Sequence, residues 1–174
     1  MLMGMLLAGG VELMVDGVRT ADEDNPKGYH ELAEVKAIDK PGDKAWLGAG
    51  RGKALKIISF LLQHLPDTYD YKIIFMRRNL PEVLASQQKM LERRGEGSGD
   101  VSDVEMARMF TAHLTKIESV LTNRENCDVL YVEHRDTVDN PSAVAVAIND
   151  FLGGYLDTRA MTAVVDPQLY RNRV

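Results

Sequence analysis

Four short apolar runs set the frame of this chain: residues 11–15 (VELMV), 54–59 (ALKIIS), 71–76 (YKIIFM) and 128–132 (DVLYV). The last three are rich in branched side chains and lack the polar alternation of a strand with one wet face, so they read as strands buried on both faces. Val11 to Val15 ends at Asp16-Gly17, a turn signal, and reads as a further strand. Helical signatures fall between the runs. Strands that alternate with helices imply a parallel sheet with helices on both faces. The expected fold class is therefore α/β, a three-layer α/β/α arrangement. At 174 residues, with no internal repeat and no linker, the whole of 1–174 reads as a single domain.

The helix signals are local and specific. Met1, Leu2, Met5 and Leu6 have helical spacing, and Gly9-Gly10 is a natural stop. Asn25-Pro26 opens an expected helix through Tyr29, Leu32, Val35 and Ile38, which Pro41-Gly42 ends. After YKIIFM, Asn79 can cap and Pro81 sits in the first turn of a helix running to about Arg94. Residues 95–101 (GEGSGDV) read as a loop. Ser102-x-x-Glu105 is a capping box, and Met106, Phe110, Leu114, Ile117 and Leu121 share one face behind it. Pro141 to Leu152 is a helix closed by Gly153-Gly154, and the tail VDPQLYRNRV carries no regular pattern.

Several function classes are excluded or disfavoured at this level. The net charge of −5 argues against a general nucleic-acid binder. The run MLMGMLLAGG lacks a preceding basic residue, which makes a poor signal peptide, and it is too short to span a bilayer. Neither a membrane nor a nucleic acid is an expected partner. Cys127 is the lone cysteine, so no internal disulfide forms, and a cytoplasmic setting is expected. One cysteine without a clustered histidine set builds no metal site. The acidic run Asp22-Glu23-Asp24 reads as a solvated loop.

Ligands of open parallel sheets bind beyond the carboxyl ends of the strands. Arg77, Arg78 and Asn79 lie at such an end. A guanidinium there can hold a phosphate through two parallel charged hydrogen bonds. Ser86, eight residues after Arg78, lies ~9 Å along the following helix, within reach of a shared phosphate. By spacing alone, two solvated arginines and a helix-surface serine are the better account of the pattern, since both residue types are common.

A wider set of segments raises the first reading. The strand KIIFM followed by Arg78, Asn79, Leu80, Pro81, Glu82 and then Ser86 resembles a segment of sulfotransferases that use 3′-phosphoadenosine-5′-phosphosulfate (PAPS). Asn25-Pro26-Lys27-Gly28-Tyr29-His30-Glu31 is similar to an NP-x-G-x-x-E stretch of bacterial members. Tyr131-Val132-Glu133 with Asp136, Pro141 and Phe151-Leu152-Gly153 resembles the family's late run. The resemblance implies a P-loop NTPase-like fold. It implies that Arg78 and Ser86 hold the 3′-phosphate of PAPS or of its product adenosine 3′,5′-bisphosphate. Arg171 and Arg173 are further candidates to close over the nucleotide. No metal cofactor is implied.

The family's opening strand and G-x-P-R-S-G-T-S loop, which cradle the 5′-phosphosulfate, have no counterpart in the chain as given. Met1 to Gly10 resembles the helix that follows that loop. The expectation is an N-terminally truncated form whose sheet lacks a central strand. Exposed strand edges then drive self-association, so a homo-oligomer is expected. Lys56 matches the lysine of the Lys-x-His found in many members, whereas Ile58 stands at the histidine position. Glu31, with His30 beside it, is the candidate base, and Lys56 the candidate for charge stabilisation. Glu31 and His30 serve equally well as a helix-start acid and a surface residue. His64 and His113 read as ordinary, and Trp46 as a packing residue or an acceptor-pocket wall.

The expected function is transfer of a sulfuryl group from PAPS to a hydroxyl or amine of a small-molecule or glycan acceptor. The alternative is a non-catalytic nucleotide-binding or assembly fragment that keeps the fold.

Overall fold

The computed structural model describes residues 1–19, 21, 25, 28–85 and 102–169. The chain folds as a mixture of helices and a small parallel sheet, an α/β arrangement. β1 (Tyr71–Arg77) and β2 (Cys127–Glu133) pair in parallel, from Tyr71 opposite Cys127 to Arg77 opposite Glu133. The connection between them carries helix α2, described at residues 80–85, and helix α3 (Asp103–Thr122). Helix α1 (Leu2–Ala8) precedes the sheet. Helices α4 (His134–Asp139), α5 (Pro141–Leu152) and α6 (Thr158–Ala163) follow it.

Side-chain alternation on the two strands divides the interior into two clusters. Ile74 and Met76 of β1, with Leu130 and Val132 of β2, meet Met5 and Leu6 of α1, Ala145 and Ile148 of α5 and Met161 of α6. Ile73 and Phe75, with Val129 and Tyr131, meet Ile117 and Leu121 of α3 and the leucines 47, 61, 62 and 65. Successive strand residues point to opposite faces, and each face is apolar, so each attracts its own helices. Gly9 sets the approach of α1 to α6. A Cβ there would lie 2.8 Å from Met161 Cγ, and Asp157 N donates to Gly9 O at 3.2 Å.

The local end signals hold. Ser102 Oγ accepts from Glu105 N at 3.3 Å to open α3. Asn140 caps α5 through Ala143 N, and Gly153 closes it at φ 111°. Trp46, on the 3-10 helix Ala45–Gly50, is partly buried and packs against the second cluster.

Two of the four expected strands are reduced. Residues 11–15 and 54–59 meet only in a parallel bridge between Leu13 and Ala54, and Ser59 already begins a 3-10 helix to His64. An apolar extended run becomes a strand only where a neighbour supplies a ladder, and none does beyond Ala54 among the described residues. The helix expected from Asn25 is also replaced. Gly28 (φ 82°) and His30 (φ 49°) take left-handed conformations that no α-helix admits, and only a 3-10 turn, Ala33–Ala37, forms. The second half of the helix expected to Arg94, the loop 95–101 and the acidic run 22–24 lie outside the described residues.

β1 has β2 as its one ladder partner among the described residues. Of the residues in the two strands, only Phe75 and Val132 are buried. A parallel pair is ordinarily covered far more completely.

Candidate functional site

The segment 28–33 is shaped by its backbone rather than by a helix. Two left-handed residues flank Tyr29 and turn its carbonyl toward the 54–58 run. Lys56 Nζ donates to that Tyr29 carbonyl at 2.9 Å and to Glu31 Oε1 at 3.0 Å. Arg19 closes the other side: its Nη1 lies 3.6 Å from Glu31 Oε1, and its guanidinium sits 3.3 Å from the centroid of the Tyr29 ring. Asp16 anchors the segment from below. Its N–H donates to Glu31 O, and its carboxylate accepts from Val18 N and Ala33 N. Lys56, 25 residues away in the chain, is thus brought to Glu31 and its neighbour His30.

The electrostatics of the cluster follow from these contacts. Burial pushes the Glu31 carboxyl up, but the hydrogen bond and charge of Lys56, with Arg19 and Lys36, outweigh it and hold the group below its ordinary value. The stabilisation from this pairing is present at neutral pH and is lost as pH falls through the lowered value. His30 is pushed down by burial first, then by the charges of the amino terminus and Lys56. Its imidazole is therefore neutral at physiological pH.

A second group stands at the carboxyl ends of β1 and β2. The resemblance singles out Arg78 over Arg77, and the two arginines stand differently in the structure. Arg77 donates from Nε and Nη2 to Glu118 Oε1 at 3.0 and 2.7 Å, and its guanidinium lies 4.1 Å over the Tyr131 ring. It is held by α3. Arg78 instead faces Glu82, 3% exposed, across 3.9 Å, and its buried Nε has no hydrogen-bond partner among the described residues. His134, the first residue of α4, is held low by burial, then by Arg78. The charge of the amino terminus lowers both His30 and His134 further. Ser86, Arg171 and Arg173 lie outside the described residues.

One contact had no sequence signal. Ser59 Oγ lies 2.9 Å from His113 Nε2, and the Phe60 ring packs against His113 at 5.9 Å. The partners are 54 residues apart in the chain. No carboxylate is bonded to the other ring nitrogen among the described residues, so the pair lacks the orienting group of a nucleophile triad. Burial raises the Cys127 thiol, which leaves it protonated and unreactive at neutral pH. Among the described residues no group of three or more His, Cys, Asp or Glu side chains is placed to hold a metal ion. No helix among them is long and apolar enough to cross a membrane. A shallow cavity of about 320 Å³ lined by Asp43, Lys44, Pro66, Thr68 and Tyr69 shares no residue with either group.

Comparison of the chain with protein-family models, with curated proteins and with solved structures returned no match in any of the three.

Proposed function

We propose that the chain is a sulfotransferase-like domain of the three-layer, P-loop-like α/β type, built to move a sulfuryl group from PAPS to a hydroxyl or amine acceptor. The observation that carries this reading is the contact of Lys56 with Glu31, beside His30, together with Arg78 just past β1, whose buried Nε has no hydrogen-bond partner among the described residues. Two apolar clusters on opposite faces of β1 and β2 support the layered fold. Arg77 is occupied by Glu118, which leaves Arg78 as the arginine for an anion. A buried guanidinium nitrogen with no hydrogen-bond partner is costly, and an oxyanion would satisfy it.

In this reading Arg78, with Ser86, holds the 3′-phosphate of the nucleotide, and Arg171 and Arg173 close over it. Lys56 faces the charge that develops on the transferring group, where a fixed cation contributes most. Glu31 or its neighbour His30 takes the acceptor proton.

Isothermal calorimetry with adenosine 3′,5′-bisphosphate tests the nucleotide site. Binding is expected for the wild-type chain and is expected to weaken by about tenfold to a hundredfold in Arg78→Ala, the loss of one charge-assisted contact. No heat at millimolar nucleotide, or equal affinity in Arg78→Ala, sinks the reading.

A second reading has its own observation. Among the described residues β1 keeps one ladder partner, and most residues of the two strands are incompletely covered. An open strand edge recruits another strand. We therefore propose that the chain self-associates into a homo-oligomer, and a non-catalytic assembly role would use the same edge. Light scattering coupled to size exclusion is expected to give a mass above the 19.4 kDa chain, rising with concentration. A single 19.4 kDa species across a hundredfold range of concentration rules this out.

A further inference from the structure

We infer that His30, rather than Glu31, takes the proton of the acceptor, and that Glu31 is a positioning residue that holds Lys56 in place. The inference rests on the sulfuryl-transfer reading above and deepens it.

Glu31 is already engaged. Its Oε1 accepts from Lys56 Nζ at 3.0 Å and lies 3.6 Å from Arg19 Nη1. A carboxylate between two cations is a weakened base, because a proton arriving there must displace a charge-assisted bond. What Glu31 does in this geometry is fix the lysine. Together with the Tyr29 carbonyl it holds Lys56 Nζ from two sides, the kind of orientation a charge-stabilising group needs.

His30 differs in each respect. It is the only non-glycine residue with positive φ among the described residues, at 49°. That conformation costs on the order of 1 kcal/mol or more and persists where its surroundings impose it, often at functional sites. Here the imposition is visible: Tyr29 and Glu31 on either side are both tied to Lys56. The imidazole between them is half-buried and makes no hydrogen bond to any described residue, so none of these competes for its lone pair. The charged groups around it are Lys56, the amino terminus and the neighbouring Glu31. The first two favour the neutral imidazole that a general base requires.

As the acceptor oxygen forms its bond to sulfur, its proton passes to the free imidazole nitrogen. The bond from sulfur to the bridging phosphate oxygen breaks. Its electron pair leaves with adenosine 3′,5′-bisphosphate, and the imidazolium returns the proton to water.

Two measurements test this, neither of which needs the acceptor to be known. In nitrogen-15 spectra of the whole chain, the His30 ring, identified through His30→Gln, is expected to titrate below the ordinary histidine value and to move up in Lys56→Met. Transfer to water, read as adenosine 3′,5′-bisphosphate released from PAPS, is expected to fall at low pH as His30 gains its proton. His30→Gln should lower that rate about a hundredfold and abolish the acid limb. Glu31→Gln should lower the rate but keep the limb. The assignment is overturned if His30 titrates at or above the ordinary value, or if the limb survives in His30→Gln or vanishes in Glu31→Gln. A chain that binds the nucleotide yet releases nothing at any pH also overturns it. Failure of nucleotide binding itself, read by calorimetry, is a separate result and strikes the parent reading.

Discussion

Replacing Ile148 with alanine is expected to lower the free energy of unfolding by about 2–5 kcal/mol, the usual cost of removing a large aliphatic side chain from a core that cannot fully collapse. Ile148 is 0% exposed at the centre of α5. It belongs to the cluster where α1, α5 and α6 meet β2 through Met5, Ala145, Met161 and Val132. Those neighbours come from four separate elements, so closing the void requires several of them to shift together. Total stability for a domain of this size is about 5–15 kcal/mol, so the loss takes a large share. Denaturant unfolding reads it as a lower midpoint at unchanged slope. Val146, two residues away and 47% exposed, is the internal control: alanine there should stay within about 0.5 kcal/mol. A loss below about 1 kcal/mol at Ile148 would mean that the packing described for α5 is wrong.

The second large effect concerns activity rather than stability. On the proposed reading, Lys56→Met should lower sulfuryl transfer about a hundredfold to a thousandfold, the range for removing one preorganised charge-stabilising donor. Its effect on folding should be small. The Lys56–Glu31 pair is partly exposed on both sides, and such pairs contribute about 0–1 kcal/mol. The two readouts therefore separate. A melting temperature close to wild type alongside a collapse in turnover supports a functional lysine. A variant that keeps its rate removes Lys56 from the chemistry.

What the sequence disclosed follows from how local each signal is. The cap at Ser102 and the left-handed Gly153 depend on residues within a turn of each other, and both stand where the pattern put them. YKIIFM and DVLYV became β1 and β2 because each found the other as a parallel neighbour. VELMV and ALKIIS carry patterns as good, yet they share one bridge, since strand formation is a property of pairs. The helix from Asn25 failed because apolar spacing is blind to φ, and Gly28 and His30 reverse the chain inside that spacing. At the site, family resemblance picked out Lys56 and Glu31, and their contact at 3.0 Å joins positions 25 residues apart. The resemblance chose Arg78 over Arg77, but that Arg77 is held by Glu118 on α3 lay beyond sequence. Ser59 and His113 likewise meet only through tertiary packing.

The one-sided pairing of β1 has a consequence for its own backbone. Along an extended strand, successive peptide groups face opposite ways. Every second amide of β1 therefore turns to β2 and is bonded there, while those between turn to the side where no ladder partner stands among the described residues. A single strand thus carries two sets of amide protons, one bonded to the sheet and one with no ladder partner among the described residues. Its side chains alternate between two cores, and hydrogen exchange is expected to be slower in the first set than in the second. Any strand that came to lie along that edge would slow only the second set.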